Sequence, residues 1–396
     1  MNVSHAGFRK YIAITGRRNV GKSSLINAIA RQDVAIVSEI PGTTTDPVYK
    51  TLEIQPIGPV TLIDTPGIDD EGIVGQKRVE RAKRSLYRAD VAILVADDRP
   101  SCYEEMLTDI FRELEIPFLV ALNKVDLQRN GLVSLYESFG VPVVEVSAKE
   151  RRNIDTLVER LSEIIPVEEE KPLIGHLLKD TRTVVLVVPI DKAAPKGRLI
   201  MPQVEVIREV IDFGGTAVVT RDHELHDTLT KLSNCVDLVV TDSQVVMKIE
   251  KIVPKEIPLT TFSILEAANK GDLEFFLEGI EKLKVLKNND PIAIVEACSH
   301  VPTCDDIGRV KIPKWIEEKM GMKFQYKFFA GKEFPDLEQL QDCKLVVHCG
   351  GCVLTRSAFM RRMTWAKRLK IPVVNYGMLI SHLHGILNRV IEPLLK

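Results

Sequence analysis

The chain has 396 residues, and at about 150 residues per domain two or three domains are expected. Its 53 basic and 55 acidic side chains leave a formal net charge of −2, which argues against a dedicated nucleic-acid binder with its usual basic excess. An apolar fraction of 45% beside a charged fraction of 27% suits a soluble globular protein and excludes a disordered one. The apolar runs, such as 184–188, fall far short of the ~20 residues that a bilayer crossing needs. The first ten residues carry no apolar signal core, so a cytoplasmic protein without membrane contact is expected. Seven cysteines is an odd number, which rules out a complete disulfide framework and points clustered thiols toward metal binding or packing.

Short apolar runs at 11–15, 60–63, 91–95, 118–122 and 143–146 alternate with helical patterns. That order predicts a mostly parallel sheet with helices on both faces. The pattern ends near Ile165, and Pro166-Val167-Glu168-Glu169-Glu170-Lys171-Pro172 reads as an exposed linker, closing a first domain at 1–166. A second unit, 173–262, shows buried strands at 183–188, 216–219 and 237–240 with a helix at 204–211. It has no chemical motif, which suits packing or self-association. His223 and His226 within it read as surface residues. From 263 the pattern is helical to 286, and then a third α/β unit has strands at 292–295, 324–328, 345–347 and 372–375. The expected fold is thus α/β, a P-loop domain followed by two smaller domains with mostly parallel sheets.

Gly16-Arg17-Arg18-Asn19-Val20-Gly21-Lys22-Ser23 is glycine, four residues, then Gly-Lys-Ser, placed between a strand and a helix that runs on from Ser24. Gly16 and Gly21 let backbone amides wrap phosphates, and the helix N-terminus adds partial positive charge. Lys22 is expected at the β- and γ-phosphates, with Ser23 on Mg²⁺ and Ser24 beside it at the helix start. Asp64-Thr65-Pro66-Gly67 follows the next predicted strand, where Asp64 can hold Mg²⁺ through water and the Gly67 amide can sense the γ-phosphate. In Asn123-Lys124-Val125-Asp126, the Asp126 carboxylate can accept both N–H donors of the guanine edge. Ser147-Ala148-Lys149 can close over the base, and the Thr44 hydroxyl can complete the Mg²⁺ shell. Four motifs in this order, each at a strand end, make GTP and GDP the expected ligands.

Residues 8–166 with these motifs resemble GTPases of the TrmE, Era and EngA group. Ile68 stands where Ras-like enzymes carry a water-orienting Gln, so slow unaided hydrolysis is expected. Asn19 occupies the position that binds K⁺ in potassium-activated members of that group, so the resemblance implies K⁺-stimulated hydrolysis with Asn19 as ligand. Arg17 and Arg18 are more readily solvated loop charges than arginine fingers.

Cys298-Ser299-His300 follows the strand 292–295, and His348-Cys349-Gly350-Gly351-Cys352 follows 345–347. The carboxyl ends of parallel strands open onto one crevice, so Cys298, Cys349 and Cys352 can converge there. Cys349 and Cys352 have the two-residue gap that lets both thiolates grip one centre, and a helix beginning near Thr355 is expected to lower their pKa values. Cys343 lies before its strand, about five rises or ~16 Å from Cys349, and is excluded. Cys102 and Cys235 are expected to be packing residues. Three thiolates fit structural zinc or a [4Fe–4S] cluster equally well.

Cys298-Ser299-His300, then 47 residues, then His348-Cys349-Gly350-Gly351-Cys352 resembles the signature of the [FeFe]-hydrogenase maturation GTPases, the HydF family. The loop Pro41-Gly42-Thr43-Thr44-Thr45-Asp46-Pro47 is similar to that family's as well. The resemblance implies a middle dimerisation domain, a homodimer, and a C-terminal domain at 263–396 holding a [4Fe–4S] cluster on Cys298, Cys349 and Cys352. It implies a carrier that receives a diiron precursor made with two radical-SAM maturases and passes it to apo-[FeFe]-hydrogenase. A weak fourth ligand suits such a carrier; among His348, His300, Asp305, Asp306 and Cys304, Asp305 and His348 rank first. The competing expectation is an Era-like GTPase in RNA or ribosome processing with a structural zinc. Arg356, Arg361, Arg362, Lys367, Arg368 and Lys370 form a basic cluster after the site, either a docking face or a solvated helix.

Overall fold

A computed structural model of the chain describes residues 9–30, 48–65, 86–127, 131–166, 171–178, 183–190, 199–233, 235–297, 306–331, 335 and 337–395. Contacts divide it into two compact units, Met1–Glu168 and Glu169–Lys396.

The first unit is built on six strands: β1 (Lys10–Thr15), β2 (Val48–Ile54), β3 (Gly58–Asp64), β4 (Val91–Ala96), β5 (Phe118–Leu122) and β6 (Val143–Glu145). Their order is β2-β3-β1-β4-β5-β6. β4 and β5 are buried along their whole length, which is why they are continuous apolar runs rather than alternating ones. Every pairing is parallel except β2 with β3. β2 was not among the expected strands. It is an edge strand whose Tyr49, Thr51 and Glu53 are exposed, so no apolar run marks it. The helices Lys22–Ile29 and Ile154–Ile164 cover one face, burying Leu25, Ile26, Leu157 and Leu161 in the core that Ile12, Ile14 and Ile93 share.

The second unit holds two four-stranded parallel sheets. One has β7 (Thr183–Val187), β8 (Thr216–Thr220), β9 (Leu238–Thr241) and β10 (Leu259–Thr261) in the order β10-β9-β7-β8. The helix Met201–Asp212 crosses between β7 and β8 and buries Val206 and Val210. β10 was also unexpected: three residues, two of them threonine, give no periodic signal, although all three are buried. Thr261 ends it and caps the helix Phe262–Lys270 by accepting from the Ile264 amide at 3.2 Å. The other sheet has β11 (Pro291–Glu296), β12 (Gln325–Ala330), β13 (Leu345–His348) and β14 (Val373–Asn375) in the order β12-β11-β13-β14. The fold is therefore the expected α/β one with mostly parallel sheets. Among the described residues, no helix is long and apolar enough to cross a membrane.

Candidate functional sites

In the first unit the loop after β1 is shaped by two glycines. Gly16 has φ +142°, and a Cβ there would stand 2.2 Å from the Val95 carbonyl oxygen of β4. Gly21 has φ +97°, and a Cβ there would meet the Asn123 side chain at 2.3 Å. Only glycine fits either place. The Lys22 Nζ donates to the carbonyls of Gly16 at 2.9 Å and Arg17 at 2.6 Å, inside the curve of the loop. The Ser23 hydroxyl donates to Asp64 Oδ2 at 3.1 Å, so the two residues expected near Mg²⁺ stand together. Burial raises the Asp64 carboxyl above its ordinary value, opposed by Ser23 and Lys22.

The later motifs close on the same loop. Asn123 donates from Nδ2 to the Val20 carbonyl at 2.9 Å and accepts the Ala148 amide on Oδ1 at 3.0 Å. Lys124 donates to the Asn19 carbonyl at 2.7 Å and to Asp97 at 2.6 Å. The Ser147 hydroxyl donates to Asp126 at 2.7 Å and holds that carboxylate below its ordinary pKa. Asn19, Ser24 and Lys149 are exposed at the rim. Thr44, Gly67 and Ile68 lie outside the described residues.

Arg17 differs from the expectation of a solvated loop charge. Its Nε donates to Glu104 Oε1 at 2.7 Å, and Glu104 is fully buried. Glu104 also accepts from the Ser101 amide at 2.9 Å, in the capping box of the helix Cys102–Glu113. The signal was present as Ser-x-x-Glu, a helix-start pattern, but its link to Arg17 spans 87 positions.

In the second unit β11 and β13 are neighbours, with Val295 opposite His348. The Cys349 amide donates to the Val295 carbonyl at 3.0 Å. In return the Ala297 amide donates to the Cys349 sulfur at 3.1 Å. Ala297 directly precedes Cys298 in the sequence, and its bond ties the end of β11 to Cys349. Cys298, His300, Cys304 and Asp305 lie outside the described residues. Cys349 and Cys352 stand on one turn, with Gly351 at φ +67° between them. The helix Arg356–Arg368 starts after Thr355, which accepts the Ala358 amide at 3.3 Å. That helix does not win at Cys349 as expected: burial raises its thiol, against the amides of Ala297 and Gly351 and the charge of Arg362.

His348 is fully buried, edge-on to the Phe359 ring at 5.0 Å. Its Nε2 lies 3.0 Å from Arg362 Nη1 and its Nδ1 lies 2.7 Å from the Cys349 carbonyl oxygen. A guanidinium only donates, so Nε2 accepts and Nδ1 carries the proton to the carbonyl. Burial and Arg362 push the ring down to about 3, so it stays neutral. Both nitrogens are engaged within the protein, an arrangement that braces the loop. Asp306 is buried and caps the following turn by accepting the Arg309 amide at 2.8 Å.

The chain can now be set beside known proteins. A model of the hydrogen maturase F tetramerization domain matches residues 274–393, and one of the hydrogen maturase F dimerization domain matches 173–271. Together they cover more than half of the chain. The chain belongs to the HydF family. A model described as a 50S ribosome-binding GTPase matches 11–124, and the first unit is a GTPase domain. Curated relatives of that domain include the tRNA modification GTPase MnmE of Chromobacterium violaceum, 38% identical over 39% of this chain and 34% of its own length. The GTPase Der of Solidesulfovibrio magneticus is 34% identical over 42% of this chain and 40% of its own. The chain thus spans well under half the length of these relatives. Solved structures with a similar part include a probable GTP-binding protein engB, at 26% identity, covering 39% of this chain and 98% of its own with a TM-score of 0.33. The G domain of the T. maritima FeoB iron transporter covers 40% and 99%, at 24% identity and a TM-score of 0.32.

Two smaller expectations about this family member are corrected. Arg361 and Arg362 are buried and Arg356 donates to the Asn269 carbonyl, so that part of the basic cluster is built into the domain, while Lys367, paired with Asp272 at 2.7 Å, Arg368 and Lys370 are exposed. Cys102 and Cys235 are exposed rather than packed. Cys343 is buried.

The Arg17–Glu104 pair leads to a prediction. Arg17→Ala leaves a buried carboxylate without its cation, and should destabilise the first unit by about 2 kcal/mol in urea unfolding, with GTP turnover per folded molecule within a few-fold of wild type. An arginine finger would give the reverse: unchanged stability and a loss of turnover on the order of a thousandfold.

Proposed function

We propose that this chain is a GTPase and an iron–sulfur scaffold that carries a diiron precursor to apo-[FeFe]-hydrogenase. The observation that carries this reading is the bond to the Cys349 sulfur from Ala297, the residue before Cys298 in the sequence, in a chain of the HydF family. In this reading the segments are a nucleotide domain at 1–166, a dimerisation domain at 173–262 and a cluster domain at 263–396, acting as a homodimer in the cytoplasm. The partners are the apo-hydrogenase and two radical-SAM maturases, with no membrane or nucleic acid involved.

The nucleotide domain turns GTP into GDP and phosphate. Lys22 and the loop amides from Gly16 to Ser23 hold the phosphates, with Ser24 at the helix start. Ser23, Thr44 and Asp64 would hold Mg²⁺, which would offset the phosphate charge, and the Gly67 amide would read the γ-phosphate. Asp126 selects guanine, while Asn123, Lys124, Ser147, Ala148 and Lys149 shape its pocket. Asn19 is exposed at the loop's rim, where a K⁺ on it would add positive charge beside the phosphates.

The donor set fits a [4Fe–4S] cluster on Cys298, Cys349 and Cys352. Cys349 and Cys352 stand on one turn with an amide bonded to the Cys349 sulfur, and N–H donors to sulfur stabilise thiolate charge. Such a cluster supplies one iron with an exchangeable ligand. Asp305 is the better fourth ligand, because His348 has both ring nitrogens engaged. Nucleotide turnover would gate conformation or partner exchange.

Two measurements test this. GTP hydrolysis should run several-fold faster in KCl than in NaCl, and Asn19→Ala should remove the difference; equal rates in the two salts exclude the K⁺ site. Anaerobic purification or reconstitution should give about four irons per chain, with a reduced-cluster EPR signal that Cys349→Ala abolishes. One zinc and no iron after reconstitution overturns the carrier reading.

A further inference from the structure

The far side of the cysteine turn rests on a buried charge cluster that the proposed function does not use. Lys270 closes the helix Phe262–Lys270 and is only 8% exposed. Its Nζ stands 2.9 Å from Glu266 Oε2, one turn back, and donates to the Cys352 carbonyl at 3.3 Å. Glu266 is 1% exposed. A second carboxyl, Glu205 on the helix Met201–Asp212, lies against the pair, and burial followed by the Glu266 charge pushes it up to about 8. The cysteine turn sits directly on this helix, since a Cβ at Gly350 would come within 3.8 Å of the Glu266 Cβ. Burying three ionisable groups together is costly unless they are paired, and an ion pair with apolar neighbours would be as stable without them. What distinguishes this cluster is the third contact, from the ammonium to the Cys352 backbone.

We propose that Lys270, anchored by Glu266, is a positioning residue for the cysteine turn: it fixes the Cys352 carbonyl and places a positive charge beside the metal centre. The redox half of this rests on the cluster reading above. A cation there favours the state with one more electron, so it raises the cluster's reduction potential. Arg362, bonded to His348, is a second buried cation, and its charge acts on Cys349.

The test uses the full chain with Lys270→Met and Lys270→Arg. In the cluster-free protein, hydrogen exchange at the amides of 350–354 should speed up roughly tenfold in Lys270→Met, as expected for losing a charged hydrogen bond, and recover in Lys270→Arg. Leu354, whose amide donates to the Gly351 carbonyl at 2.9 Å, is the most informative position. After reconstitution, Lys270→Met should hold wild-type iron but titrate at a more negative potential by EPR, with Lys270→Arg restoring it. Wild-type exchange together with a wild-type potential in Lys270→Met overturns the proposal. If the wild type takes up no iron, the cluster reading fails, and the exchange rates still decide whether Lys270 positions the turn. Should Lys270→Met not fold, Glu266→Gln loosens the same lysine, and unchanged exchange in that variant contradicts the proposal equally.

Discussion

The Ala297 amide and the Cys349 sulfur meet because β11 and β13 run parallel and end at the same level. Two antiparallel neighbours would send their carboxyl ends to opposite edges of the sheet, and the cysteine segments would never share a crevice. Once the strands are parallel and in this register, Ala297 and Cys349 follow them at the same edge of the sheet. The buried sulfur then needs compensation. Amides of Ala297 and Gly351 provide part of it and Arg362 another part, while burial still holds the thiol above its ordinary pKa. A metal centre that takes the sulfur as thiolate would work with those donors rather than against them.

The first unit meets the same constraint with other chemistry. The Gly-rich loop follows β1, Asp64 ends β3, and Asn123 follows β5, all at the carboxyl edge of parallel strands. Here the convergent groups are backbone amides, a lysine and hydroxyls, which suit phosphate and a hard cation. Asn123 and Lys124 bond directly to the Val20 and Asn19 carbonyls, so the base-reading motif and the phosphate loop are mechanically one piece. In the second unit His348, Arg362 and Lys270 brace the cysteine turn in the same way.

How much of this can be read in the sequence follows from burial. β4 and β5 are apolar throughout, and β11 is apolar up to Glu296, because both faces are covered, and they stand out on inspection. β2 and β10 do not, one because it is a half-exposed edge and the other because it is three residues long. The nucleotide motifs are local and therefore visible, as is the Cys349–Cys352 turn. The partners that set each group's behaviour are not local. Arg17 finds Glu104 and Lys270 finds the Cys352 carbonyl only after folding. Helix position alone suggested a lowered Cys349 pKa, and the burial that overrides it is a property of the packed domain.

The central claim is that a nucleotide domain and a cysteine turn of this kind act together as a carrier. The most direct measurement is hydrogen evolution by apo-[FeFe]-hydrogenase after mixing with this protein isolated alongside the two radical-SAM maturases. The account predicts activation by the wild type and none by Cys349→Ala, at equal protein and with both variants folded. A wild-type protein that holds its cluster yet leaves the apo-hydrogenase inactive would contradict it.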